Sequence, residues 1–234
     1  MAKKVTETKK VVIFIVEGSS DKKALEKIFQ KIYKHKNIVF KFTDGDITSD
    51  EAMDIYTVCD IIYTKVSEYM KDKKLQPKHI WQIVHIFDTD GTYIPDSAIV
   101  KGDSNKYVYS PMEISCKNIQ SVMERNRRKS KLMNFLLEQK EIKGIPYICY
   151  FMSSNLDHAL YDEQNLADDL KGDYADAFYT EFVGREELFV DFLKDEVVNG
   201  VPDTFPSSWL YIKEGLHSLE RHTNLHIYFK QNPY

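Results

Sequence analysis

The chain begins its ordered pattern with six consecutive apolar residues, Val11 to Val16, all β-branched or aromatic. A run without alternation predicts a strand buried on both faces, as in a parallel sheet. Gly18-Ser19-Ser20 interrupts it, and Ser19 or Ser20 can cap the helix that follows. In that helix Ala24, Leu25, Ile28, Phe29 and Ile32 recur at helical spacing, with lysines on the other face. A second short strand is expected from Ile38 to Phe42. The Asp44-Gly45-Asp46 turn then leads to Ser49, Asp50 and Glu51, which open a long helix with an apolar face through Met53, Tyr56, Ile62, Val66 and Met70. Residues 78–88 form a third strand candidate. Residues 96–105 read as a loop, 106–109 as a short strand, 117–139 as a long basic helix and 145–151 as a further buried strand.

Strand and helix thus alternate up to about residue 155, which indicates a parallel sheet wrapped by helices. Beyond Asp157 the pattern turns helical over 163–180, 184–198 and 206–221, with a last strand candidate at 225–229. The expected architecture is an α/β, Rossmann-like domain over residues 1–155, with an acidic, mainly helical C-terminal extension over 156–234 packed on it. The total of 234 residues suits one large domain or two small ones.

Composition removes several classes. With 43% hydrophobic and 29% charged residues the chain is neither disordered nor fibrous. Its three cysteines, Cys59, Cys116 and Cys149, have no metal-ligand spacing and fit a reducing compartment. The lysines at positions 3, 4, 9 and 10 precede only six apolar residues, too few for a signal peptide, and no run approaches the roughly 20 residues of a membrane helix. A cytoplasmic protein without a membrane partner is expected.

The chemistry concentrates in two segments. Val16-Glu17-Gly18-Ser19-Ser20-Asp21 ends a strand on a carboxylate and turns through glycine into a helix. Ile86-Phe87-Asp88-Thr89-Asp90-Gly91 ends another strand with two carboxylates two residues apart. Ligands of open parallel sheets sit outside the carboxyl ends of the strands, where Glu17, Asp88 and Asp90 would all stand. Residues two apart on an extended segment point the same way. Three such carboxylates repel one another unless a cation neutralises them. A hard divalent ion such as Mg²⁺, with Mn²⁺ as a substitute, takes carboxylate oxygens together with substrate phosphate and suits phosphoryl transfer.

These two motifs, Glu-Gly-x-x-Asp after the first strand and Asp-x-Asp-Gly after the third, resemble the toprim domain of topoisomerases, bacterial primases, OLD-family nucleases and recombination-repair proteins. The likeness spans about residues 11–155 in the order of elements. It implies a catalytic glutamate at Glu17 and metal ligation by Glu17, Asp88 and Asp90. It implies a second metal position at Asp21, whose alternative is a carboxylate favoured by the helix N-terminus. The chain is short, with no zinc-binding cysteines, and looks closest to the small OLD-like and abortive-infection toprim proteins of bacterial phage defence. These are nucleases of DNA or RNA that act beside a separate ATPase of the ABC or SMC type. No Gly-x-x-x-x-Gly-Lys-Ser/Thr loop occurs here, so an ATPase would be another chain. A non-catalytic binding module and an RNA-processing maturase are the alternatives, and a homo-oligomer is left open.

Asp157 follows another buried strand. It reads first as a helix N-terminal carboxylate behind a Ser154 or Asn155 cap, and second as a further ligand at the same edge. Glu113 has a similar, weaker claim. Arg125, Arg127, Arg128, Lys129 and Lys131 put five positive charges in seven residues. They read equally as a solvated helix face and as a phosphate-binding surface. His217, His222 and His226 lack the spacing of a metal set. Charge is uneven: residues 157–196 hold thirteen acidic and three basic side chains, a local balance of −10. The overall −4 therefore leaves +6 for the remainder, an asymmetry that favours a polyanion partner.

Overall fold

The first strand, β1 (Val11–Val16), sorts its side chains to two sides. Val12, Phe14 and Val16 enter one hydrophobic cluster, and Val11, Ile13 and Ile15 enter another. Period-two alternation of a strand that is apolar throughout requires helices on both faces of the sheet, and the computed structural model has them. It describes residues 11–34, 36–43 and 46–234. The lysine-rich start and the Asp44-Gly45 half of the expected turn lie outside the described residues.

Along the chain, α1 (Ser19–Ile32), β2 (Asn37–Phe42), α2 (Val58–Asp72) and β3 (Ile80–Asp88) follow β1. A small sheet of β4 (Ile99–Lys101), β5 (Val108–Tyr109) and β6 (Ile114–Cys116) comes next. Then come α3 (Ile119–Glu138), β7 (Glu141–Ile142) and β8 (Ile145–Ser153). The C-terminal part contains α4 (Leu156–Tyr161), α5 (Lys171–Phe182), α6 (Leu188–Phe192), a π-helix (Leu193–Val198), α7 (Phe205–Ile212), β9 (His222–Thr223) and α8 (His226–Gln231). Four parallel strands stand in the order β2-β1-β3-β8, and β7 and β9 pair antiparallel with β8. The fold is α/β: a mixed, mostly parallel six-stranded sheet flanked by helices. No helix among the described residues is long and apolar enough to cross a membrane.

On one face α1, α5, α6, the π-helix and α8 share a core around Phe14, Phe29, Phe189 and Tyr228. Phe14 stacks on Phe40 with 4.7 Å between the ring centroids. On the other face lie α2, α3 and α7, around Ile62, Val66, Met133 and Trp209. Residues from the C-terminal part thus fill the same core as α1.

Several elements differ from the pattern reading. The helix expected from Ser49 starts only at Val58, because Asp50 and Asp54 accept backbone N–H groups of Ala52, Tyr56 and Thr57 in local turns, which compete with helix formation. Tyr56 is accordingly exposed rather than on an apolar face. The 96–105 loop contains β4. The helix expected over 163–180 begins at Lys171, that over 206–221 ends at Ile212, and 188–198 is divided between α6 and the π-helix. Residues 225–229 are not a strand: Leu225 turns into α8, and all five are buried. Burial on every side erases the periodicity that separates strand from helix.

Candidate metal centre

Three strand ends supply the candidate site. Glu17 follows β1, Asp88 closes β3 and Asp46 follows β2, all at the carboxyl edge of the sheet. The turn after β3 is held from several sides. Thr89 donates to Ser218 O at 2.7 Å, Asp90 N to Ser154 O at 2.6 Å, and Arg125 Nη2 to Asp90 O at 2.7 Å. Asp90 itself sits at φ +47° and Gly91 at φ +64°. A Cβ on Gly91 would meet Leu219 Cδ2 at 2.5 Å, so both the backbone angle and the space demand glycine there. Because Asp90 lies in this turn, strand alternation no longer dictates its direction beyond Asp88.

Asp90 instead joins Asp46 and Glu17. One carboxylate oxygen from each lies within 4.8 Å of the others. Among them stands the ammonium of Lys129, with no exposed surface, 2.5 Å from Asp46 Oδ2, 2.5 Å from Asp90 Oδ2 and 3.8 Å from Glu17 Oε1. Asp88 is turned toward the Glu17 and Asp21 side, where its backbone N–H reaches Glu17 Oε1 at 3.3 Å. Asp21 accepts from Gly18 N at 2.8 Å and closes the start of α1. Two cavities of about 450 and 490 Å³ open here, and both are lined by Glu17, Asp88, Asp157 and Lys171.

The electrostatics are uneven. Burial, then repulsion from Asp46, pushes the Glu17 carboxyl well above its ordinary range. Burial, then Glu17 and Asp21, does the same to Asp88. Burial also tends to raise Asp46, yet Lys129 and the Ser49 and Thr48 donors outweigh it and hold this carboxyl low. Burial opposes the charge on Lys129, and the carboxylates of Asp46, Asp90 and Glu17 overcome it, so this ammonium stays charged. Asp46 therefore keeps its charge through direct hydrogen bonds, whereas Glu17 and Asp88 have too few donors to offset desolvation.

Asp157 is also buried, and its carboxyl is raised by burial despite Lys171 at 3.2 Å. Its Oδ1 has no hydrogen-bond partner among the described residues. Asn155 does cap α4, accepting from His158 N at 2.8 Å. Glu113 lies before β6 and lines neither cavity.

The basic segment divides. Arg125 and Lys129 are buried, Arg125 between Tyr109 Oη at 2.6 Å and Asp90 O. Arg127, Arg128 and Lys131 instead line an open groove of about 490 Å³ with Met53 and Ile55. Arg128 is tied to Ser49 O at 2.8 Å and Arg127 to Asp96 at 3.5 Å. One participant escaped the sequence reading, and a second was named there in another role, as a phosphate contact or part of a solvated face. Asp46 looked like a turn residue, although it too follows a parallel strand. Lys129 looked like a member of a charged face, although Val122, Arg125, Asn126, Lys129, Leu132, Met133 and Leu136 follow the spacing of a buried stripe.

Hard oxygen donors suit a divalent cation. Among the described residues, Glu17, Asp21, Asp46, Asp88, Asp90 and Asp157 face only Lys129 and Lys171 as close ammonium partners. The donor set therefore fits a further cation. Comparison of the chain with family models, curated proteins and solved structures finds no match.

Proposed function

We propose that this protein is a toprim-like, Mg²⁺-dependent nuclease that cleaves phosphodiester bonds of DNA or RNA, working in anti-phage defence beside a separate ABC- or SMC-type ATPase chain. The observation that carries the reading is the meeting of carboxylates from separate strand ends at one open edge of a parallel sheet. Glu17, Asp88 and Asp90 are the residues to hold Mg²⁺ or Mn²⁺, with Asp46 and Asp21 beside them. Such an ion supplies charge neutralisation and polarisation of a phosphate.

The chain's own groups have distinct tasks in this reading. Glu17, whose Oε1 accepts from the Asp88 N–H, is placed to take a proton from an attacking water and return it to the leaving oxygen, with Asp88 and Asp90 the carboxylates left to hold the ion in that step. Lys129, anchored by Asp46 and Asp90, supports negative charge developing on the phosphate. Arg127, Arg128 and Lys131 offer sequence-independent contacts to the backbone of the substrate.

One observation favours a second reading, a non-catalytic module. Lys129 already neutralises the Asp46 and Asp90 carboxylates and so can serve purely as their structural counter-charge. Incubating the protein, alone and with a candidate ABC- or SMC-type ATPase chain, with plasmid, single-stranded DNA and tRNA in Mg²⁺ or Mn²⁺ decides between them. Cleavage that disappears in Asp88→Ala supports the nuclease. Absence of cleavage under every condition, or equal cleavage by the variant, leaves the binding module.

A further inference from the structure

A third cavity, of about 670 Å³, is larger than either carboxylate-lined one and lies elsewhere in the molecule. It is bounded by the π-helix, α8 and the residues after it. Phe229, on its wall, stacks against Tyr33 at 6.0 Å. Tyr33 follows the last residue of α1, whereas Asp21 is in its first turn. At 1.5 Å per helical residue, roughly 20 Å separate the cavity from the carboxylate edge.

The lining has two kinds of surface. Val190, Val198, Phe229 and Tyr234 form an apolar and aromatic side, and Lys194, Lys230 and His226 a polar one that also carries the carboxylate of Asp203, which an incoming anion must displace from Lys230. Both lysines are more than half exposed and, among the described residues, pair with surface carboxylates, Lys230 with Asp203 at 3.1 Å and Lys194 with Asp191 at 3.8 Å. They are free to turn toward a bound anion at little cost, since exposed ion pairs contribute little.

Two independent features mark the cavity as more than a surface depression. His226 is only 4% exposed. Among the described residues its Nδ1 makes no well-formed hydrogen bond, with only the Thr223 backbone beside it, and its Nε2 lies 3.2 Å from Asp203 Oδ1 without good hydrogen-bond geometry. A buried ring with unsatisfied nitrogens costs stability unless something in the cavity pairs with it. The neighbouring wall, Leu193–Val198, is a π-helix, a rare conformation concentrated at functional sites. It presents Lys194 and Val198 to the same space.

We propose that this cavity binds a small aromatic anion, with the ring against Phe229 and Tyr234, the anionic group at Lys194 and Lys230, and a hydrogen bond to the His226 ring. Its volume is within the range of small-molecule pockets. The shared chemistry is a planar ring bearing one phosphate or carboxylate group.

Calorimetric titration of the whole chain in EDTA tests this with four probes: AMP, benzoate, adenosine and inorganic phosphate. One aromatic anion binds with one-to-one stoichiometry, while adenosine and phosphate bind at least about tenfold more weakly, a gap of about 1.4 kcal/mol. A preference for AMP marks a nucleotide site, and a preference for benzoate a simple aromatic acid. The double variant Lys194→Glu/Lys230→Glu changes exposed side chains only and abolishes the binding. Asp88→Asn, at the end of β3 on the carboxylate edge, leaves it intact, which separates this site from nucleotide capture at the proposed nuclease centre. The proposal is overturned if neither aromatic anion binds, or if phosphate or adenosine binds as tightly as AMP. It is equally overturned if the isotherm survives the double charge reversal or is lost in Asp88→Asn.

Discussion

Replacing Lys129 by methionine removes one positive charge from the interior and leaves the volume nearly filled. Asp46 and Asp90 then lose a partner at 2.5 Å each. Breaking a buried ion pair from one side costs about 3–5 kcal/mol, because the remaining charge is left uncompensated. The unfolding entropy of a 234-residue chain is roughly 0.5 kcal/mol/K. The expected fall in Tm at pH 7 in EDTA is therefore about 6–10 °C. The same substitution frees the Glu17, Asp46 and Asp90 oxygens, which lie within 4.8 Å of one another, to take a divalent cation. At a concentration of about a hundred times Kd such a cation returns roughly 2.7 kcal/mol, or about 5 °C.

The pH dependence has a definite sign. In the native chain Asp46 is held below its ordinary pKa, so its contribution is present above about pH 3.9 and is lost only as pH falls through the lower folded value. Without Lys129 that depression disappears and proton uptake relieves the repulsion, so the deficit of the variant narrows from pH 7 toward pH 5. Differential scanning calorimetry with and without Mg²⁺ measures all three quantities. Equal Tm for the two proteins in EDTA, or an equal gain on adding Mg²⁺, would refute the assignment of Lys129 as the internal cation of this cluster.

Three other outcomes follow from the same geometry. Asp88 has a raised folded pKa, so stability is lost as pH rises from about 3.9 through that value. Asp88→Asn should gain about 0.5–2 kcal/mol at pH 7 without divalent cations while ending any cleavage, and a lower urea midpoint than wild type would contradict this. His85 is pushed down to about 3 by burial, so its share of stability is complete above about pH 6.5 and declines by roughly 3 kcal/mol at pH 4. The acid limb of Tm against pH should be shallower in His85→Phe, and identical slopes would sink the idea. Substituting Arg127 and Lys131 by alanine should weaken binding of a fluorescent oligonucleotide and lower the salt slope by about 0.7–0.9 per lost phosphate contact, whereas an unaltered slope removes the groove from the interface.

The sheet was legible wherever a strand was buried on both faces. Val11–Val16, Ile80–Asp88 and Ile145–Ser153 are apolar runs flanked by turn residues, and Glu17 and Asp88 stand at their ends. What pattern could not supply was direction inside a helix and pairing between distant segments. Lys129 joins Asp46 across 83 positions, and its burial is visible only if a cation is allowed on an otherwise apolar stripe. The start of α2 was misjudged where Asp50 and Asp54 hold local turns, and the C-terminal part where the segment 225–229 is buried all round.

The regional charge balance takes on a different meaning once these side chains are placed. Of the five basic residues between 125 and 131, Arg125 and Lys129 are buried among the groups of the carboxylate edge. Only Arg127, Arg128 and Lys131 remain to meet a polyanion, and Arg128 is already tied to Ser49. In the opposite sense, the acidic stretch from Asp157 to Glu196 is not a surface apart from the site. Asp157 and Lys171, both within it, line the same two cavities as Glu17 and Asp88. An acidic edge carrying an extra carboxylate repels a nucleic-acid backbone unless cations are present. In the proposed nuclease, removing divalent ions should therefore weaken substrate binding as well as cleavage, and Asp157→Asn should relieve part of that weakening when the oligonucleotide is titrated in EDTA. Binding in EDTA that is as tight as in Mg²⁺ would show that the carboxylate edge does not face the phosphates.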